Sequence, residues 1–81
     1  MIKSSYIERF KKNVKRYYFD DLLNDYTVKQ LDDAMNYYLK NHRVTDEKFS
    51  ATEFYNWLVV PFTQDLLYKL HIIDKVHYVG F

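Results

Sequence analysis

Chemistry in this chain, if any, must come from its charged and aromatic side chains, and the densest group of them is Arg9 to Phe19, RFKKNVKRYYF. Six cations fall within the first sixteen residues, interleaved with Phe10, Val14, Tyr17 and Tyr18. Arg9, Lys11, Lys12, Lys15 and Arg16 are the candidate contacts to phosphates or to an acidic partner, because cations at helical spacing can neutralise a row of anionic groups. The same residues also suit a solvated helix face, or a face paired with acids elsewhere in the fold. Both readings remain open at this level. His42, His71 and His77 stand alone, with no second histidine four residues on and no Glu at catalytic-helix spacing, so no metal site is expected. The acidic run Asp20, Asp21, Asp25, Asp32 and Asp33 lacks the alternating ligands and central glycine of a calcium loop. Stabilisation of a helix N-terminus by Asp32 and Asp33 and pairing with the basic segment are the roles expected of it.

Enzyme signatures are missing from the sequence. There is no cysteine nucleophile, no glycine-rich phosphate loop, no nucleophile elbow and no carboxylate pair with a supporting site. A chain of 81 residues with a single glycine has little room for a preorganised pocket, so catalysis, a cofactor and a small-molecule substrate are not expected. Without cysteine, disulfides and zinc-thiolate sites are excluded, which fits a cytoplasmic protein. The start, MIKSSYIERF, has no apolar run of signal-peptide length, and Trp57 to Phe62 is too short to span a bilayer. The apolar face of the first helix is rich in Tyr and needed for the core, so membrane binding is not expected either.

The elements that must position these groups follow from periodicity. With about 100° per residue, Tyr6, Ile7, Phe10, Val14, Tyr17 and Tyr18 share one arc and the cations the opposite one, predicting an amphipathic helix over about residues 3–19. Thr27 and Gln30 form a capping box that opens a second helix running to about Asn41, with Val28, Leu31, Ala34, Met35, Tyr38 and Leu39 inward. A second box at Ser50 and Glu53 opens a short third helix carrying Phe54, Trp57 and Leu58. Pro61 suits the first turn of a fourth helix, whose buried stripe is expected at Phe62, Leu66, Leu70 and Ile73. Val76, Tyr78 and Val79 favour a short terminal strand. The expected fold is mainly α: a single small domain over residues 1–81, three or four helices around an aromatic core, with a short C-terminal β element.

A long helix, a short helix, a brief joint, a further helix and a β-like tail, carried by FSATEFYNWL, VVP, FTQDLLYKLHI and VHYVGF over residues 27–81, resemble a winged helix-turn-helix. That resemblance makes the fourth helix the recognition helix, with Gln64, Asp65, Tyr68, Lys69 and His71 outward. Such a face is poor in cations for reading DNA, and many winged helices bind proteins instead.

Charge and tyrosine content bear on partners. Residues 1–19 carry a net +5 and residues 20–60 a net −4, concealed in an overall +1. Nine tyrosines exceed what so small a core needs, and Tyr37, opposite the Leu31, Met35 and Leu39 stripe, is the candidate partner contact. Crowding by residues with AT-rich codons points to a phage or other mobile element. The leading expectation is therefore a non-enzymatic protein that docks on a larger intracellular protein of a defence, replication or transcription system and modulates it, as an inhibitor or an assistant. A winged-helix DNA-binding regulator is the alternative, and a homodimer formed through the first helix is a third reading.

Overall fold

The computed structural model describes residues 4–41 and 50–77, which form four helices: α1 (Ser4–Leu22), α2 (Val28–Asn41), α3 (Ala51–Leu58) and α4 (Pro61–Lys69). Helix α1 continues past the expected end at Phe19, and Leu22 is buried by that extra turn. The chain then folds back through Tyr26, whose N–H donates to the Leu22 carbonyl at 2.9 Å and whose ring is also buried.

Local signals set the helix starts. Thr27 Oγ1 accepts from the Gln30 N–H at 3.1 Å and Gln30 Oε1 from the Thr27 N–H at 3.0 Å, closing the reciprocal box ahead of α2. Ser50 Oγ accepts from the Glu53 N–H at 3.3 Å and opens α3. Val60, preceding the proline, is extended at φ −70° and ψ 134°, and Pro61 begins α4 where a missing N–H costs nothing. Asp32 and Asp33 lie in the second turn of α2 rather than at its N-terminus, because the helix starts at Val28. Their expected influence on its dipole is weakened accordingly.

The core is aromatic. Phe54 of α3 sits at its centre, edge-on to Phe10 of α1 at 5.7 Å and to Tyr38 of α2 at 5.4 Å. Such edge-to-face pairs add directional preference to apolar burial. Val14, Leu31, Met35, Leu58 and Leu67 complete the buried cluster. The short helix α3 is thus the element against which the others pack.

Three of the expected buried stripes are revised: on α2, Leu31, Ala34, Met35 and Tyr38 are buried as expected, but Val28, at the first turn, is 52% exposed. On α1, Tyr17 is 62% exposed and leaves the apolar arc, where Phe10 and Val14 are buried and Tyr6, Ile7 and Tyr18 half-buried, Tyr18 stacking on Tyr55. On α4 the phase differs: Thr63, Gln64 and Leu67 are buried, whereas Phe62 is 76% and Leu70 44% exposed and Leu66 is half-buried. Ile73 is buried as expected, from the irregular segment after the helix.

A polar constraint sets this phase. Gln64 Nε2 donates to the carbonyl of Leu58 at 2.6 Å, satisfying one of the orphan acceptors at the C-terminus of α3, and Gln64 Oε1 accepts from the His77 N–H at 2.9 Å. One buried amide thus ties α3, α4 and the C-terminal segment together. Helix α4 ends in a Schellman motif, with Ile72 N–H to Leu67 O at 2.9 Å and His71 N–H to Tyr68 O at 3.1 Å. His71 occupies the left-handed position at φ 60°, where glycine is usual. No strand is formed among the described residues. Val76 is irregular, while Tyr78 and Val79, the rest of the expected β element, lie outside the described residues.

Candidate functional site

Arg9, Lys12, Lys15 and Arg16 are exposed along α1, as expected of a cationic face. Lys11 is not part of it. The helix turns Lys11 toward α2, where its Nζ donates to Asn36 Oδ1 at 2.8 Å and the side chain is half-buried. None of the α1 cations forms an ion pair with a carboxylate among the described residues. The acidic run does not neutralise them: Asp33 pairs instead with Lys29 one turn away at 2.9 Å, an exposed contact of the kind that contributes little. Arg16 places its guanidinium 5.4 Å from the centroid of the exposed Tyr17 ring.

The expected recognition-helix residues divide. Tyr68, Lys69 and His71 are exposed, but Gln64 is 0% exposed and fully engaged by backbone groups. Gln64 is therefore a structural residue and cannot reach a base edge. The reason is the α3 C-terminus: its free carbonyl needs a donor, and α4 supplies the only amide side chain it carries.

Tyr37 also departs from expectation. It is half-buried and stacks on Trp57 at 6.3 Å with an interplanar angle of 16°. The large indole reaches across from α3 and recruits both Tyr37 and Tyr38, the latter at 5.0 Å. Tyr37 thus packs on the fold's own aromatic cluster and keeps only part of its surface exposed.

Helix periodicity did not reveal the second surface feature, the face formed by Val60, Phe62, Leu66 and Leu70. Three of these are 43%, 76% and 44% exposed at positions 60, 62 and 70, and Leu66 is half-buried between the last two. Positions 62, 66 and 70 follow one another at i, i+4 spacing and so line one stripe of the helix. Asp65 and Lys69 flank it. Spacing alone marks such a stripe as core. A sequence signal pointing the other way is the competing arc of Thr63, Gln64 and Leu67, whose buried amide outweighs its smaller apolar content.

Two clefts lie near the C-terminal segment, and both are lined partly by ionisable groups. One of about 250 Å³ is formed by Tyr68, His71, Ile73 and Asp74. The other, of about 230 Å³, includes Asp21, Asp25, Tyr26, Tyr55 and His77. In the latter, His77 Nδ1 lies 3.9 Å from Asp25 Oδ1, and the His77 ring meets Tyr26 edge-on at 4.9 Å. Burial pushes the Tyr26 phenol above its ordinary pKa; hydrogen bonding by Gln64 opposes this shift and the Asp25 charge adds to it. Among the described residues no three metal-ligating side chains converge, and His42 lies outside them. No helix of the described residues is long and apolar enough to cross a membrane. Comparison with protein-family models, curated proteins and solved structures finds no match to this chain.

Proposed function

We propose that this chain is a small non-enzymatic binding protein that docks on a larger intracellular protein through the apolar face of α4 and modulates it. The observation that carries this reading is Phe62, 76% exposed within the stripe that Leu66 and Leu70 continue. Large apolar side chains grouped on a surface mark contact sites, and a protruding aromatic is a frequent anchor of an interface. The occupant is a different protein that offers an apolar pocket. Both clefts near the C-terminal segment of this chain mix ionisable with apolar lining, so a second copy would offer Phe62 no wholly apolar seat there. A phage or mobile-element origin, and a target in defence, replication or transcription, accord with the codon-driven composition and complete the proposal.

The alternative is a winged-helix regulator with α4 in the DNA groove. Burial of Gln64 speaks against it, because it leaves Lys69 beside Asp65 as the main polar content of a helix that should read base edges.

The test is affinity capture from the native host with three proteins: the natural chain, Phe62→Asp, and a variant with Arg9, Lys12 and Arg16 neutralised. Capture of one stoichiometric protein by the first and third but not by Phe62→Asp is expected. Equal capture by Phe62→Asp, or no protein partner at all, overturns the reading. Self-association of the natural chain that Phe62→Asp abolishes assigns the face to a second copy and overturns it as well.

A further inference from the structure

The exposed face of α1 is independent of α4 and has its own chemistry. With about 100° per residue, Arg9, Lys12, Asn13 and Arg16 fall within an arc of roughly 100°, with Tyr17 at its edge. Arg9, Lys12, Arg16 and Tyr17 are all exposed, and Asn13 is half-buried. From Arg9 to Arg16 the helix rises roughly 10 Å, enough to meet two or three successive phosphates of an extended single strand. Glu8, also exposed, lies beside Lys12 and Lys15 without forming an ion pair, and Asp20, one turn beyond Arg16, ends the stripe. The footprint is therefore short.

Tyr17 decides the kind of polyanion. Helical spacing assigns it to the core, yet the fold leaves it 62% exposed with the Arg16 guanidinium 5.4 Å from its ring centroid. An aromatic ring and a guanidinium plane beside a row of cations are the components that hold unpaired bases, which stack on them while the cations follow the backbone. A duplex keeps its bases stacked internally and could use only the cations.

We infer that the face of α1 formed by Arg9, Lys12, Arg16 and Tyr17 binds single-stranded nucleic acid without sequence preference, by backbone neutralisation and stacking on Tyr17. It supplies a short, salt-sensitive contact.

The test is fluorescence anisotropy of a labelled oligothymidylate with the full chain over a series of salt concentrations, beside a duplex of equal length. Log affinity is expected to fall with log salt at a slope of about −1.4 to −2.1, roughly −0.7 for each of two or three phosphates neutralised. Arg16→Ala and Lys12→Ala should each flatten the slope by about 0.7. Tyr17→Ala should weaken oligothymidylate binding roughly 5- to 150-fold, the range for loss of one stacked base, with the slope unchanged. All these side chains are exposed, so the variants should keep the helical circular-dichroism signal of the natural chain. No binding at low salt overturns the inference. So does tighter binding of the duplex, indifference to Tyr17→Ala, or displacement by poly-glutamate as effective as by unlabelled oligonucleotide.

Discussion

Replacing Gln64 by Met tests the buried amide directly. Met nearly matches Gln in length and volume, so no large cavity forms and the polar contribution is isolated. Two backbone partners are then lost, the Leu58 carbonyl bonded at 2.6 Å and the His77 N–H bonded at 2.9 Å, along with the hydrogen bond to the Tyr26 phenol. Leaving a buried polar group unsatisfied costs about 1–3 kcal/mol, and the half-buried His77 can recover part of its share from water. The expected loss is about 2–4 kcal/mol, a large fraction of the total for a domain this small. At roughly 4–8 °C per kcal/mol, the thermal midpoint falls by about 8–32 °C. Gln64→Glu separates the two contacts, because a carboxylate can accept from His77 but has no proton for Leu58 O. Burial raises the pKa of such a Glu in the folded state. Its deficit relative to the natural chain should therefore be smaller near pH ~4 than near pH ~7, and grow as pH rises through that interval. The exposed Lys69→Met serves as control and should stay within about 0.5 kcal/mol. Urea and thermal unfolding followed by circular dichroism measure all three. A loss under about 1 kcal/mol for Gln64→Met would mean that the amide does not set the phase of α4, and the account of the exposed Phe62 stripe would fail with it.

Two further outcomes follow from the same geometry. His71 holds φ 60° at the Schellman position, so His71→Gly should stabilise the fold by about 1 kcal/mol, seen as a higher midpoint; a lower midpoint would show that the imidazole contributes more than the backbone strain costs. Burial raises the phenol pKa of both Tyr26 and Tyr38, so these groups stay protonated in the folded chain while their unfolded counterparts ionise near pH ~10. The folded state then binds more protons, and stability should be level below that pH and decline as pH rises above it. A denaturation midpoint unchanged between about pH 9 and pH 11 would contradict the burial of both rings.

Much of the fold was legible in the sequence because its determinants are local. The capping residues Thr27, Gln30 and Ser50 act within one turn of where they stand, and Pro61 fixes its own φ and keeps its predecessor out of the helical region. The inward faces of α2 and α3 were likewise plain apart from Val28, since one apolar arc on each clearly exceeds the other. The surfaces were less legible. Periodicity put Tyr17 on the apolar arc of α1 and Tyr37 opposite that of α2, yet Tyr17 is exposed and Tyr37 stacks on Trp57. Lys11 was indistinguishable from its neighbours until Asn36 of α2 was placed beside it.

The sequence by itself determined that this is a helical chain with an aromatic core and a row of cations on its first helix, because composition and periodicity act residue by residue. Only the tertiary structure decided which side of α4 faces inward. Two arcs of that helix could be buried, and the choice fell to a long-range requirement, the unmet carbonyl at the end of α3 and the N–H of His77, which Gln64 satisfies only by entering the core. With Thr63 and Leu67 buried beside an amide bonded at both ends, the stripe of Phe62 and Leu70 is left exposed.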